Sequence, residues 1–272
     1  MLPDQIPPAP VDMVMTPHYD LIMGSSALIL LWVVLRAFQD LRRSGSAIPL
    51  LILSGAALTS LTECVYDVLS AAWWPQYGHT PFYRIFNVSV PIWMLLAYPW
   101  YYGGIAVVVY KTIRQGMTRT QLWRLYWLGW LGNFLVEIPA LQFPEFGLGH
   151  VYSYYGDQPF QIFHFPLWMA MTNALVPILM GALVAAFEEF LTGVRSLLTL
   201  VLVPMGMAAA QGCAGWPVWL ALHSGQGYAV TNAAALVTLG LSLLIAHLVG
   251  LKFCVSESTT PRSSTLAAEI PR

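Results

Sequence analysis

Charge is what this chain has least of. Of its 272 residues only 9% are Asp, Glu, Lys or Arg, against 57% hydrophobic, whereas a soluble globular domain carries about 25% charged residues. An ordinary soluble protein is excluded. Twelve basic and thirteen acidic residues leave a formal net charge of −1. No block of Lys or Arg is present to neutralise phosphates, which argues against nucleic acid as a partner. Cysteine is equally scarce: Cys64, Cys213 and Cys254 are odd in number and far apart, so no disulfide framework is indicated. The histidines (His18, His79, His150, His164, His223, His247) form no HExxH, HxxxH or Cys/His cluster, and no metal site is expected. Walker A, GxGxxG and GxSxG patterns are missing as well, which leaves nucleotide and serine-hydrolase chemistry without support. The two lysines, Lys111 and Lys252, stand at helix ends, so a retinal Schiff base has no partner within a helix.

What the chain has in abundance is apolar runs long enough to cross a bilayer, which takes about 20 mostly apolar residues. Seven segments qualify: 21–38, 47–70, 89–110, 121–142, 165–187, 196–217 and 228–251. The expected fold is all-α, a polytopic bundle of seven transmembrane helices over 21–251. An extracytoplasmic segment (1–20) precedes it and a polar, disordered cytoplasmic tail (252–272) follows. Residues 1–20 contain no Lys or Arg and so lack the basic flank of a cleavable signal peptide; the first helix is expected to be retained. Arg36, Arg42, Arg43, Lys111, Arg114, Arg119, Arg124, Arg195, Lys252, Arg262 and Arg272 all fall on one side of such a bundle, and Arg84 alone on the other. Retention of basic residues in the cytoplasm then predicts an outside or lumenal N-terminus and a cytoplasmic C-terminus, in a plasma membrane or endoplasmic reticulum. The two long connections, 71–88 and 143–164, are aromatic-rich and share the extracytoplasmic side.

Ionisable groups inside a span are costly and mark function by default. Three qualify. Glu63 and Asp67 are four residues apart and share one helix face, while Tyr126, Trp130, Asn133 and Glu137 follow a helical stripe on the fourth segment. At about 1.5 Å per residue, Glu63 and Glu137 lie roughly 8–10 Å below the outer ends of their helices. Asn87, Trp93, Asn173 and Asn232 are expected in the same outer layer. No Lys or Arg lies at that depth. Low-dielectric surroundings and like-charged neighbours favour the neutral, proton-bearing form, the species a general acid requires. The plainer reading is that these acids only hydrogen-bond neighbouring helices. Trp93, Tyr98 and Trp130 offer ring faces to a developing cation, although apolar packing would also explain them. Gly206, Gly212 and Gly215 are expected to permit close helix packing, and Pro91, Pro99, Pro139, Pro177 and Pro204 to kink their helices.

The stretches ECVYDVLSAAWWPQYGHTPFYRIFNVSVPIW (63–93) and NFLVEIPALQFPEFGLGHVYSYYGDQPFQIFHFPLWMA (133–170) resemble small membrane proteins of the spiroketal-cyclase type. The residues that carry the resemblance are Asp67, Asn87 and Pro91 in the first, and Glu137, Tyr152 with Tyr154, and Pro166 in the second. Carotenoid-biosynthesis membrane proteins have a similar arrangement. Helix number and size are also similar to the integral-membrane terpene cyclases of meroterpenoid pathways. That resemblance implies an early-helix glutamate, matched by Glu63, and a late-helix aspartate. The last two helices here contain no acid, so the second role would pass to Asp67 or Glu137.

The resulting expectation is an intramembrane cyclase without cofactor or metal. Glu63, Asp67 and Glu137 would be its acid and base groups. Asn87, Trp93, Tyr98, Trp130, Asn133, Tyr152, Tyr154, Asn173 and Asn232 would contact a hydrophobic isoprenoid or polyketide intermediate. A proton-coupled transporter or channel is the alternative, since intramembrane acids also form proton relays. Against it stand the missing internal repeat and the sparse polar path toward the cytoplasm.

Overall fold

The computed structural model describes residues 6–255, so the expectation of a disordered tail falls, for 256–272, outside the described residues. The chain is mostly helical. Among the described residues seven helical rods follow one another: α1 (Tyr19–Ser44), α2 (Ile48–Ser70), α3 (93–114), α4 (Arg119–Gln142), α5 (Leu167–Ala186), α6 (Thr199–Leu222) and α7 (Tyr228–Phe253). Five of them, all except α3 and α4, are long and apolar enough to cross a membrane by length and composition. The third rod begins at Trp93 rather than near residue 89, because Val88–Pro91 is spent on a strand.

Packing centres on α5. It lies against α3, α4, α6 and α7, and Trp168, Leu175, Ile178 and Met180 along it are fully buried. By contrast α1 is peripheral and exposes Leu21, Leu28, Leu31, Trp32 and Leu35, an apolar surface of the kind that faces lipid rather than water. The α5–α6 contact requires a glycine: a Cβ at Gly206 would lie 2.7 Å from the Met180 backbone, whereas one at Gly212 meets nothing and one at Gly215 meets only Trp219 of its own helix. Of the three glycines expected to serve packing, only Gly206 lets a neighbouring helix approach.

The two long connections are not plain loops. They form three antiparallel ribbons, in which β1 (Ala72–Trp73) pairs with β4 (Ser153–Tyr154), β2 (Pro81–Ile85) with β3 (Val88–Pro91), and β5 (Gln161–Ile162) with β6 (Phe165–Pro166). The β1–β4 pair ties one connection to the other. Residues 6–18 are laid across both: Val14 bridges Tyr77, Met15 bridges His150, Trp73 Nε1 donates to Pro7 O at 3.0 Å, and Thr16 N donates to His150 O at 2.7 Å. The segment 6–18 therefore closes a cap over one end of the bundle. At that end His223, following α6, meets the carbonyls of Val68 and Leu69 in the last turn of α2 (2.9 and 3.2 Å), where a helix terminus has acceptors to spare.

Basic residues gather at the opposite end. Arg114 pairs with Glu188 at 2.6 Å and Lys111 with Asp40, and a Thr118–Gln121 capping box starts α4. Val255 bridges Thr118 there, so the first residues beyond α7 are held against the bundle.

Replacing Gly206 by Leu should lower the unfolding midpoint in detergent by the equivalent of about 1–3 kcal/mol of overpacking. Gly212→Ala should leave it unchanged. A thermal scan of both proteins checks this, and equal midpoints would mean that α5 and α6 are not in the contact described.

Candidate active site

Hydroxyl side chains break α2 where the site begins. Thr59 Oγ1 donates to Gly55 O (2.9 Å), Ser60 Oγ to Ala57 O (2.7 Å) and Thr62 Oγ1 to Thr59 O (2.7 Å), back-bonding that bends helices. A 3₁₀ turn at Ser60–Thr62 results, after which the helix resumes over Glu63–Ser70. Tyr83, reaching in from β2, fills the break: its hydroxyl donates to Ser60 O (3.0 Å) and accepts from Cys64 N (3.3 Å). The turn beyond this plug carries Glu63 and Asp67, both buried.

The third rod is interrupted as well. From Pro99 to Gly103 it adopts a π-helical turn, where a proline has no N–H to give and a wider turn absorbs the misfit. Tyr101 and Tyr102 lie in that turn, and Tyr98 immediately precedes it. Gly103 lets the turn press onto α2; a Cβ there would lie 2.9 Å from that of Ala56.

These two interruptions line one cavity, enclosing about 890 Å³ of space not occupied by atoms, its mouth included. Glu63, Asp67 and Glu137 all line it, and so do Trp93, Tyr98, Tyr152, Tyr154 and Asn173. Each carboxyl has a specific donor. Tyr98 donates to Glu63 Oε2, Trp74 Nε1 to Asp67 Oδ2 at 2.9 Å, and Tyr152 to Glu137 Oε2. The Tyr101 hydroxyl is divided between Asn133 Oδ1 (2.5 Å) and Glu137 Oε1 (3.3 Å). Burial pushes the Tyr152 phenol well above its ordinary range, so the phenol keeps its proton and remains the donor of that pair. No Lys or Arg lines the cavity, and the three ion pairs among the described residues lie elsewhere. The two helix-2 acids also differ from Glu137 in one respect. No protein group among the described residues bonds Glu63 Oε1 or Asp67 Oδ1, whereas Glu137 is engaged on both oxygens.

Four residues expected at the site stand apart from the cavity wall. Asn87, with φ of 60°, occupies the two-residue turn between β2 and β3 beside Phe86 (φ 54°), a turn that favours Asn, and its side chain donates to Ile6 O. Trp130 does not line the cavity and packs edge-on against Phe134 and Trp127. Asn232 belongs to α7, which contributes nothing to the cavity. Asn133 acts at one remove, through Tyr101, while its amide donates to Gly129 O.

Other wall residues are not among those the sequence assigns to the site. Tyr66, Trp74, Tyr101, Tyr102, Gln211 and Trp219 line the cavity. Gln211 had a readable signal, a lone amide inside an apolar run, and it donates to Asn173 Oδ1 at 3.0 Å. No cluster of His, Cys, Asp and Glu able to hold a metal occurs among the described residues.

No family model matches the chain, and no solved structure matches it. Over 113 residues, 42% of the chain, it is 27% identical to the methanethiol S-methyltransferase of Mycobacterium tuberculosis, covering 46% of that protein. The chain thus spans about half the length of the curated relative it matches. That similarity is to a methyltransferase rather than to a cyclase.

A double-mutant cycle on Tyr152→Phe and Glu137→Gln should return a coupling of about 1 kcal/mol or more, read from unfolding in detergent, since the pair is in direct contact. Additive effects would show that the phenol and the carboxyl do not meet.

Proposed function

We propose that the chain is an intramembrane cyclase that closes a ring in an apolar isoprenoid or polyketide intermediate by carboxylic-acid catalysis. One observation carries the reading: three carboxyls from two helices line a single aromatic cavity with no basic residue on its wall. A carboxyl without a cationic partner in apolar surroundings is suited to give up a proton rather than to hold a charge.

Glu63 is the proton donor in this scheme. Its Oε2 accepts from Tyr98, which fixes the carboxyl, and Oε1 is left to face the substrate. Protonation of an epoxide, alkene or hemiketal oxygen generates cationic character at carbon. An internal hydroxyl or double bond captures that carbon and releases a proton, which Asp67 or the Glu63 carboxylate takes back. The net reaction is an isomerisation, or a dehydration where water leaves, and it needs no redox step. Glu137, held on both oxygens, positions Tyr152 and Tyr101 on the far wall. The faces of Trp93, Tyr98 and Trp74 stabilise the cation, and the cap keeps water from intercepting it.

The same reading places all seven rods across the bilayer. The capped end, which holds Arg84 as its one basic residue among those described, would be outside, and the basic end cytoplasmic.

A second reading rests on the relative's name, methyl transfer to a small thiol. A cavity lined by carboxyls and ring faces also attracts a cationic methyl donor, so methylation of methanethiol is the activity to assay beside cyclisation.

In product assays on protein reconstituted in nanodiscs, Glu63→Gln should reduce cyclisation by at least about 100-fold, the usual range for losing a general acid. Asp67→Asn should reduce it less, and Glu137→Gln should act mainly through substrate positioning. Full activity in all three variants would remove the mechanism. Proton flux abolished by Glu137→Gln would favour a transporter instead.

A further inference from the structure

A second cavity adjoins the first and is different in character. It spans about 580 Å³ of space not occupied by atoms, its open side included, and shares Trp100, Tyr101, Tyr102, Val136 and Asn173 with the acid cavity, so the two are adjacent. Its remaining wall comes from Ile105 on α3, Leu128, Gly129, Gly132 and Asn133 on α4, and Pro177 on α5. It is a groove between α3 and α4, and it reaches the outside of the bundle, where Leu128 and Val136 are exposed.

One feature of α4 keeps it open. At Gly129 a Cβ would make ordinary contact with Ala174 of α5 at 3.7 Å, whereas a Cβ at Gly132 would meet nothing within 4 Å. The groove wall is therefore bare where an ordinary side chain would have filled it. The acid cavity has the opposite character. Besides its carboxyls it is bordered by Trp93 and Trp219, which do not line the groove and whose indole N–H groups are buried and find no protein acceptor. Donors left in that state are uncommon in folded proteins and call for an acceptor.

We infer that the groove between α3 and α4 is a side entrance and binding channel for the hydrocarbon chain of an amphiphilic substrate whose oxygen-bearing head occupies the acid cavity. The inference rests on the cyclase reading for what happens to the head, and adds the shape of the molecule and its route. The chain enters sideways from the hydrocarbon layer, passes the bare face at Gly132 and delivers oxygen acceptors to the indole donors and the carboxyls. Tyr101 and Tyr102 stand at the junction, lining both spaces. A substrate free in the lipid reaches the acids without crossing the cap, which agrees with the strapping of the cap by residues 6–18.

The probe is a 16-carbon alcohol carrying a mid-chain diazirine, used with the protein in nanodiscs and compared with the matched alkane lacking the hydroxyl. Photolabelling mapped by mass spectrometry should concentrate the alcohol on residues 128–136. It should exceed the alkane there by about five- to tenfold, the affinity worth of one net hydrogen bond. The series Gly132→Ala, Gly132→Leu and Gly132→Phe should reduce that labelling progressively while the protein stays monodisperse, Gly132→Ala serving as the mildest change should Gly132→Phe fail to fold. The probe is saturated and cannot cyclise, so its labelling reads entry and binding alone and is told apart from the outcome of the cyclisation assays. Equal labelling by alcohol and alkane would mean that ordinary lipid fills the groove, and an unchanged pattern across the Gly132 series would mean that nothing enters there; either overturns the inference.

Discussion

The arrangement depends on how carboxyl groups are kept inside an apolar bundle without a cation. Charge in such a medium is costly, and removing one partner of a buried polar pair leaves the other exposed to that cost. Here each acid is met by a neutral donor with a large apolar body: Tyr98 for Glu63, Trp74 for Asp67, Tyr152 and Tyr101 for Glu137. An aromatic donor satisfies the oxygen and adds packing surface in one residue. A lysine or arginine would have satisfied the oxygen too, but as an ion pair it would have fixed the carboxyl as an anion and removed it as a source of protons.

Placing those donors requires irregular helices. A regular α2 would carry its face straight through Ser60, and a regular α3 would turn Tyr101 and Tyr102 to other neighbours. The 3₁₀ turn at Ser60–Thr62 and the π-turn at Pro99–Gly103 change the register on both sides of the cavity. Each irregularity is closed by a specific group, Tyr83 at the first and Gly103 against Ala56 at the second. The cap then completes the enclosure, and its hairpin turn at Phe86–Asn87 accounts for an asparagine that sequence reasoning assigned to the site.

The helices were legible because apolar run length is a strong signal, and the acids because an ionisable residue in such a run is costly enough to need a partner or a task. Glu63, Asp67 and Glu137 do share one cavity with Trp93, Tyr98, Tyr152, Tyr154 and Asn173. The donors were harder to read. Tyr98 and Tyr152 are among the expected site residues, but Trp74 sits in a connection where aromatics collect for reasons of membrane depth alone, and Tyr101 depends on a π-turn that no helical periodicity encodes. Trp130 shares a stripe with Glu137, but its indole packs against Phe134, its neighbour one turn along the helix, rather than on the cavity wall. The ribbons in the connections were not legible, because strands of two to five residues leave almost no periodic trace.

Infrared spectroscopy of the purified protein tests the central claim most directly, since a neutral carboxyl and a carboxylate absorb at separate frequencies. The account predicts a band from a protonated carboxyl at neutral pH that resists deuterium exchange and disappears in Glu63→Gln. Carboxylate absorption alone, unchanged by that substitution, would contradict it.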